Sequence, residues 1–173
     1  MKAYFAKRIA VFGLALTFIA VSLSSCKAQE RDHLAYQEYP IRAECVLSVG
    51  DGDYPLILDI TSRENARVTF VGGRLEGSVV EISDPGAYFI NAGYRIPLTL
   101  TGDSPLSAIV GVFDLSSSDM TKVTQSGQEL LISYDCGRFC ATVTLYENLP
   151  SVIEIVCGQE IYNLAVNKFT SGS

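Results

Sequence analysis

Covalent or metal chemistry in this chain would have to start from five cysteines, one histidine and 19 carboxylates. Cys45, Cys136, Cys140 and Cys157 form an even set that permits disulfides in three connectivities. Reduced cysteine, however, is among the most buried residue types and packs as a small apolar side chain. Loop length decides whether Cys136 and Cys140 can meet. A two-residue Gly137-Arg138 turn sets Cys136 opposite Phe139 and Cys140 opposite Asp135, with the two thiols on opposite faces; a three-residue loop would oppose them. The apolar period favours the shorter turn, because Leu130, Ile132, Tyr134 and Cys136 alternate as one set while Cys140 sits with Thr142 and Thr144. Cys157 joins Ile153 and Ile155, so Cys45, Cys136 and Cys157 are expected as buried thiols.

Other chemistry is poorly provided for. Zinc wants paired C-x-x-C arms or histidines, and neither is present, so no metal and no cofactor is expected. His33 stands alone in a polar segment, where a solvated role is the simpler reading. No G-x-S-x-G or S-x-x-K supplies a nucleophile with its base. Glu76, Glu81, Glu129, Glu147 and Glu154 could offer a carboxylate pair for glycoside hydrolysis, but acids spaced along alternating strands are ordinarily the solvated face. Asp51 and Asp53 flank a glycine without the remaining ligands of a calcium loop, so turn chemistry accounts for them. The expectation is a protein without enzymatic activity, a hydrolase being the third choice.

The elements that would carry these residues are mostly strands. Ile41 to Val49 alternates Ala43, Cys45, Leu47 and Val49 against Arg42, Glu44, Val46 and Ser48, the period of a half-buried strand. Gly50 to Asp53 turns the chain, and Tyr54 to Thr61 returns with Leu56, Leu58 and Ile60. Further strands are expected over Ala66–Val71, Leu75–Ile82, Ala87–Asn91 and Tyr94–Leu100. A meander follows over Thr121–Ser126, Glu129–Cys136, Phe139–Tyr146, Ser151–Cys157 and Glu160–Phe169, with a turn at Asn148-Leu149-Pro150. Between the two runs, Ser104 as N-cap and Pro105 at the first helical position open a helix over 104–115. Leu106, Ile109, Val110 and Phe113 recur on one face of it, lining either a core or a cavity.

The N-terminus carries an address. Lys2, Lys7 and Arg8 precede an uncharged, mostly apolar run of 15 residues, Ile9 to Leu23, shorter than the roughly 20 that span a bilayer. Leu23-Ser24-Ser25-Cys26 resembles the lipobox of bacterial lipoproteins. The resemblance implies that residues 1–25 are a cleaved signal peptide and that Cys26 takes a diacylglyceryl group and becomes the first mature residue. It further implies an extracytoplasmic protein held to a bacterial membrane through that lipid. A plain secreted protein with an incidental cysteine is the alternative. Residues 26–40 read as a polar tether and 41–169 as one β-rich domain. Without the leader, 10 basic residues face 19 acids for a charge of −9, which disfavours nucleic-acid binding.

The mature domain also resembles small lipoproteins of the LolA/LolB-like type. The resemblance is carried by Arg74-Leu75-Glu76-Gly77, the helix from Ser104-Pro105-Leu106 through Phe113, and the closing meander. It implies a curved antiparallel sheet, an unclosed β-barrel, with the helix packed on its concave side over an apolar space that accepts acyl chains. Those carriers have several helices, whereas one is legible here. The implied function is a non-enzymatic binding module for a lipid or other hydrophobic ligand. The alternative is a structural partner of an envelope protein complex.

Overall fold

The computed structural model describes residues 33–83, 86–101 and 104–172. The signal peptide, Cys26 and the tether up to residue 32 lie outside the described residues. One compact unit begins at Tyr36, within the stretch expected to be tether, because the Tyr36 ring is buried and packs edge-on against Phe169.

In chain order the elements are β1 (Ile41–Val49), β2 (Gly52–Ser62), β3 (Asn65–Phe70), β4 (Val79–Ser83), β5 (Gly86–Asn91), β6 (Tyr94–Leu98), α1 (Pro105–Gly111), β7 (Met120–Ser126), β8 (Glu129–Asp135), β9 (Cys140–Tyr146), β10 (Leu149–Cys157) and β11 (Glu160–Ser171). The strands form a single antiparallel sheet in the order β6-β5-β4-β3-β2-β1-β11-β10-β9-β8-β7. This is the expected mainly β architecture, a curved, unclosed sheet with one short α-helix among the described residues. The chain walks outward hairpin by hairpin from β1 to one free edge at β6. It then crosses through α1 to the opposite edge at β7 and walks back to the middle, where β11 pairs with β1.

Alternation determines which side chains turn inward. Directly opposed residues share a face, and the inner set runs as Ile41, Ala43 and Cys45 on β1, opposite Ile60, Leu58 and Leu56 on β2, opposite Ala66, Val68 and Phe70 on β3. On the other side of β1, Leu47 opposes Leu164, then Ile153, Val143 and Ile132. All of these are buried, and Val123 at the β7 edge continues the row into solvent. The outer face carries charge over one half of the sheet. Arg42, Asp59, Arg67, Glu81 and Tyr88 lie side by side across β1 to β5, and the ion pairs Arg42–Asp59 (2.6 Å), Arg67–Glu81 (3.5 Å) and Arg95–Glu81 (3.5 Å) connect them. Arg95 also lies over the Tyr88 ring at 3.9 Å.

Three local expectations are corrected. The strand expected from Leu75 starts only at Val79, since Gly73 and Gly77 adopt positive φ and the chain loops through a 3-10 turn before rejoining the sheet. The turn expected at Asn148-Leu149-Pro150 is instead Glu147-Asn148, both at positive φ, and Pro150 lies inside β10 where the pairing register shifts. The helix expected over 104–115 is α-helical for seven residues and tightens to 3-10 geometry over Val112–Asp114.

Candidate ligand-binding concavity

The crossing helix is held at its start by its own sequence. The Ser104 hydroxyl accepts from the Ser107 amide (3.2 Å) and Pro105 follows, as the cap chemistry requires. At its other end Asp114 receives the Arg63 guanidinium from the β2–β3 turn at 2.6 Å. Between these anchors the helix lays Ala108, Ile109, Val112 and Phe113 into the concave side of the sheet, all buried. Phe113 stacks on Phe169 with centroids 6.2 Å apart and an 18° interplanar angle. Of the four positions expected on the apolar face, Ile109 and Phe113 are buried and Leu106 and Val110 half-buried. The burial stripe therefore turns toward Ala108 and Val112 rather than Leu106 and Val110. Ala108, Ile109, Val112 and Phe113 thus belong to the buried apolar set.

Open space lies beside it. A cavity of about 580 Å³ is lined by Ile82, Ala87, Leu98 and Leu100 with Ser83, Gly86, Thr99 and Glu64. Three of these are one inner-face row, Ile82 on β4 opposite Ala87 on β5 opposite Leu98 on β6, and Ala66 on β3 continues it. Two alanines and a glycine at inward or adjoining positions leave volume that larger side chains would occupy. The apolar strip continues beyond the cavity, because Phe89 opposes Ile96 on the same face and Ile96 is 53% exposed. No residue of α1 lines this space. Its signal in the sequence was small residues at alternating apolar positions, a cue that a tightly packed sheet shares.

A second cavity of about 590 Å³ lies near the ends of β1, β2 and β11, and Leu149 also lines it. Arg42 and Asp59 line it and neutralise one another. It opens where β10 departs from β11, whose last pair is Val152 opposite Ala165.

Outside these spaces the reactive side chains are placed as follows. Cys136 donates its backbone N–H to the Phe139 carbonyl (3.0 Å) and Asp135 opposes Cys140, so the hairpin has the two-residue turn, with Gly137 at φ +72°. Cys45 and Cys157 are buried and Cys140 is exposed. Cys136 is half-buried rather than buried, since it lies just past the end of β8. Burial, with some help from the Glu44 charge, pushes the Cys45 thiol up to about 12. Burial likewise raises Cys136 to about 11, with Asp119, Asp135 and Cys140 adding to it. Tyr36 and Tyr134 are both raised, foremost by burial. His33 is half-buried. Glu76, Glu81, Glu129, Glu147 and Glu154 line neither cavity. Among the described residues no three His, Cys, Asp or Glu side chains gather as a metal site, and no helix is long and apolar enough to cross a membrane.

No protein-family model matches the chain, and no curated protein matches it. Solved structures do. An uncharacterised conserved protein from Thermus thermophilus superposes with a TM-score of 0.50 at 11% identity, over 86% of this chain and 88% of that one. A LolA-superfamily protein from Nitrosomonas europaea gives 0.44 at 12% identity, over 83% and 94%. MucB gives 0.47 at 12% identity, over 84% of this chain and 60% of its own. At these identities the Thermus likeness is one of fold, the broad antiparallel half-barrel.

Proposed function

We propose that this protein is a lipid-anchored, extracytoplasmic binding module that takes an acyl chain or similar hydrophobic ligand into the concavity between β4–β6 and the crossing segment that leads to α1. The observation that carries the reading is the cavity of about 580 Å³ walled by Ile82, Ala87, Leu98 and Leu100. Its volume falls in the range of small-molecule sites, roughly 300–1,000 Å³. The strip through Phe89 and Ile96 extends it in the direction a chain would run. The role is binding without catalysis, since among the described residues only one ionisable side chain, Glu64, lines the space. Cys26 is the lipidated residue, following the leader's resemblance to a lipobox.

The test is extraction of the purified chain carrying Cys26→Ala, mass spectrometry of what it released, and uptake of the neutral fluorescent probe N-phenyl-1-naphthylamine. Bound lipid or saturable uptake is expected. Ala87→Leu, which displaces two to three methylenes of ligand, should weaken uptake roughly ten- to sixty-fold while the chain stays folded. Absence of both lipid and uptake removes the reading. For the anchor, palmitate labelling that persists in Cys26→Ala would reassign the lipid.

A second reading, an assembly partner in an envelope complex, draws on the other half of the outer face. There Tyr146 and Leu149 form one cross-strand pair and both are exposed, as are Val152 and Ile161. Pull-down from membranes with Tyr146→Ser and Val152→Ser distinguishes the two: loss of a specific partner with probe uptake intact favours assembly.

A further inference from the structure

We infer that the cavity beside α1 selects ligands by head group, preferring amphiphiles whose polar end is cationic or donates hydrogen bonds over those ending in a carboxylate or phosphate; this rests on the binding reading above. Its polar lining residues among those described are Ser83, Thr99 and Glu64, and no Lys, Arg or His is among them. Glu64 lies in the β2–β3 turn and is exposed. No ion pair among the described residues engages its carboxylate, whereas the acids Glu44, Asp59, Glu81 and Asp114 each have a basic partner. The nearest base in sequence, Arg63, is drawn away to Asp114 at 2.6 Å. The described wall of the cavity therefore carries one carboxylate with no ion-pair partner among the described residues.

A carboxylate is an acceptor only, whereas a threonine hydroxyl such as that of the lining residue Thr99 can donate or accept. A head group placed among them completes its hydrogen bonds best when it brings donors. An alkylammonium does so with favourable charge, and an alcohol does so without charge. A fatty-acid carboxylate brings acceptors and like-charge repulsion, and must leave water to do it.

Competition against N-phenyl-1-naphthylamine tests this on the full chain carrying Cys26→Ala, with dodecylamine, dodecanol and dodecanoate below their micellar concentrations. Dodecylamine should displace the probe between about two- and thirty-fold more effectively than dodecanoate, the span expected when an exposed charge attracts one head group and repels the other. The gap should narrow as salt rises from roughly 10 to 300 mM. Glu64→Gln should bring the two within about twofold and leave dodecanol unchanged. Glu154→Gln, which removes an acid remote from the cavity, should preserve the gap and so separates a local effect from net charge. Equal or better displacement by dodecanoate in the chain with Glu64 intact, or a gap that survives Glu64→Gln, overturns the head-group inference while leaving the cavity occupied. Failure of the neutral probe to bind at all overturns the binding reading and this inference with it.

Discussion

Single side chains divide into those that close the concavity and those that leave it open. Phe113 belongs to the first kind, buried completely and stacked on Phe169. Phe113→Ala should cost about 3–5 kcal/mol in urea unfolding, the range for removing a buried phenylalanine whose surroundings cannot collapse. Cys45 sets a pH dependence. Its thiol is neutral when buried and ionises in the folded chain only near 12, against an ordinary value of 9.0. The folded state thus holds more protons than the unfolded state between those values, so stability is intact below about 9 and falls as pH rises toward 12. Tyr36 and Tyr134, also raised, add to the same alkaline loss. Urea midpoints measured from about pH 8 to 11.5 should fall, and Cys45→Ala should fall less steeply than the wild type over this window. Near neutral pH a thiol reagent should modify Cys140 quickly and Cys45 only after unfolding.

At the scale of elements, the outer-face charges form a ladder of complementary cross-strand pairs. Glu81 sits between Arg67 and Arg95, each at 3.5 Å. Glu81→Lys would set three cations together and should destabilise the domain by about 1 kcal/mol, less at high salt because the pairs are largely exposed. Differential scanning calorimetry at roughly 20 and 500 mM salt checks both parts. The free edges differ from one another. Ala92 and Gly93, both at positive φ, make the two-residue turn between β5 and β6, so Asn91 and Tyr94 are the hydrogen-bonded closing pair. By alternation Pro97 then faces its nitrogen outward, where a missing donor discourages a foreign strand.

Alternation makes most of these strands legible in the sequence alone. The elements that were misplaced had signals of equal weight pointing elsewhere. Pro150 reads as turn chemistry but is accommodated at a register shift, while Glu147 takes a positive φ that its residue type does not announce. Gly77 reads as a glycine within a strand but ends a loop. The cavity was the least legible feature, because the helix face that fills a core and the face that roofs a tunnel have the same period. What decided it was which sheet positions carry Ala66, Ala87 and Gly86, and these matter only once the pairing is known.

For the whole molecule, one meander that walks outward and one that walks back inward share one joint. Every hairpin in either half closes locally, while the β1–β11 joint brings Arg42 beside Thr170, 128 residues away in sequence. That joint governs how the molecule comes to exist. A chain folding from its N-terminus can zip up β1 through β6 in order, but β1 must wait with one edge bare until the last strand arrives. Joining distant segments costs loop-closure entropy that local hairpins do not incur, so the seam is where the folding barrier should concentrate. Leu164→Ala, on β11 within the seam, should therefore slow refolding, whereas Leu145→Ala, on β9, should chiefly speed unfolding, as stopped-flow chevrons would resolve. A chain ended before Glu160 should leave β1 permanently bare and emerge as an aggregation-prone edge rather than a shorter half-barrel.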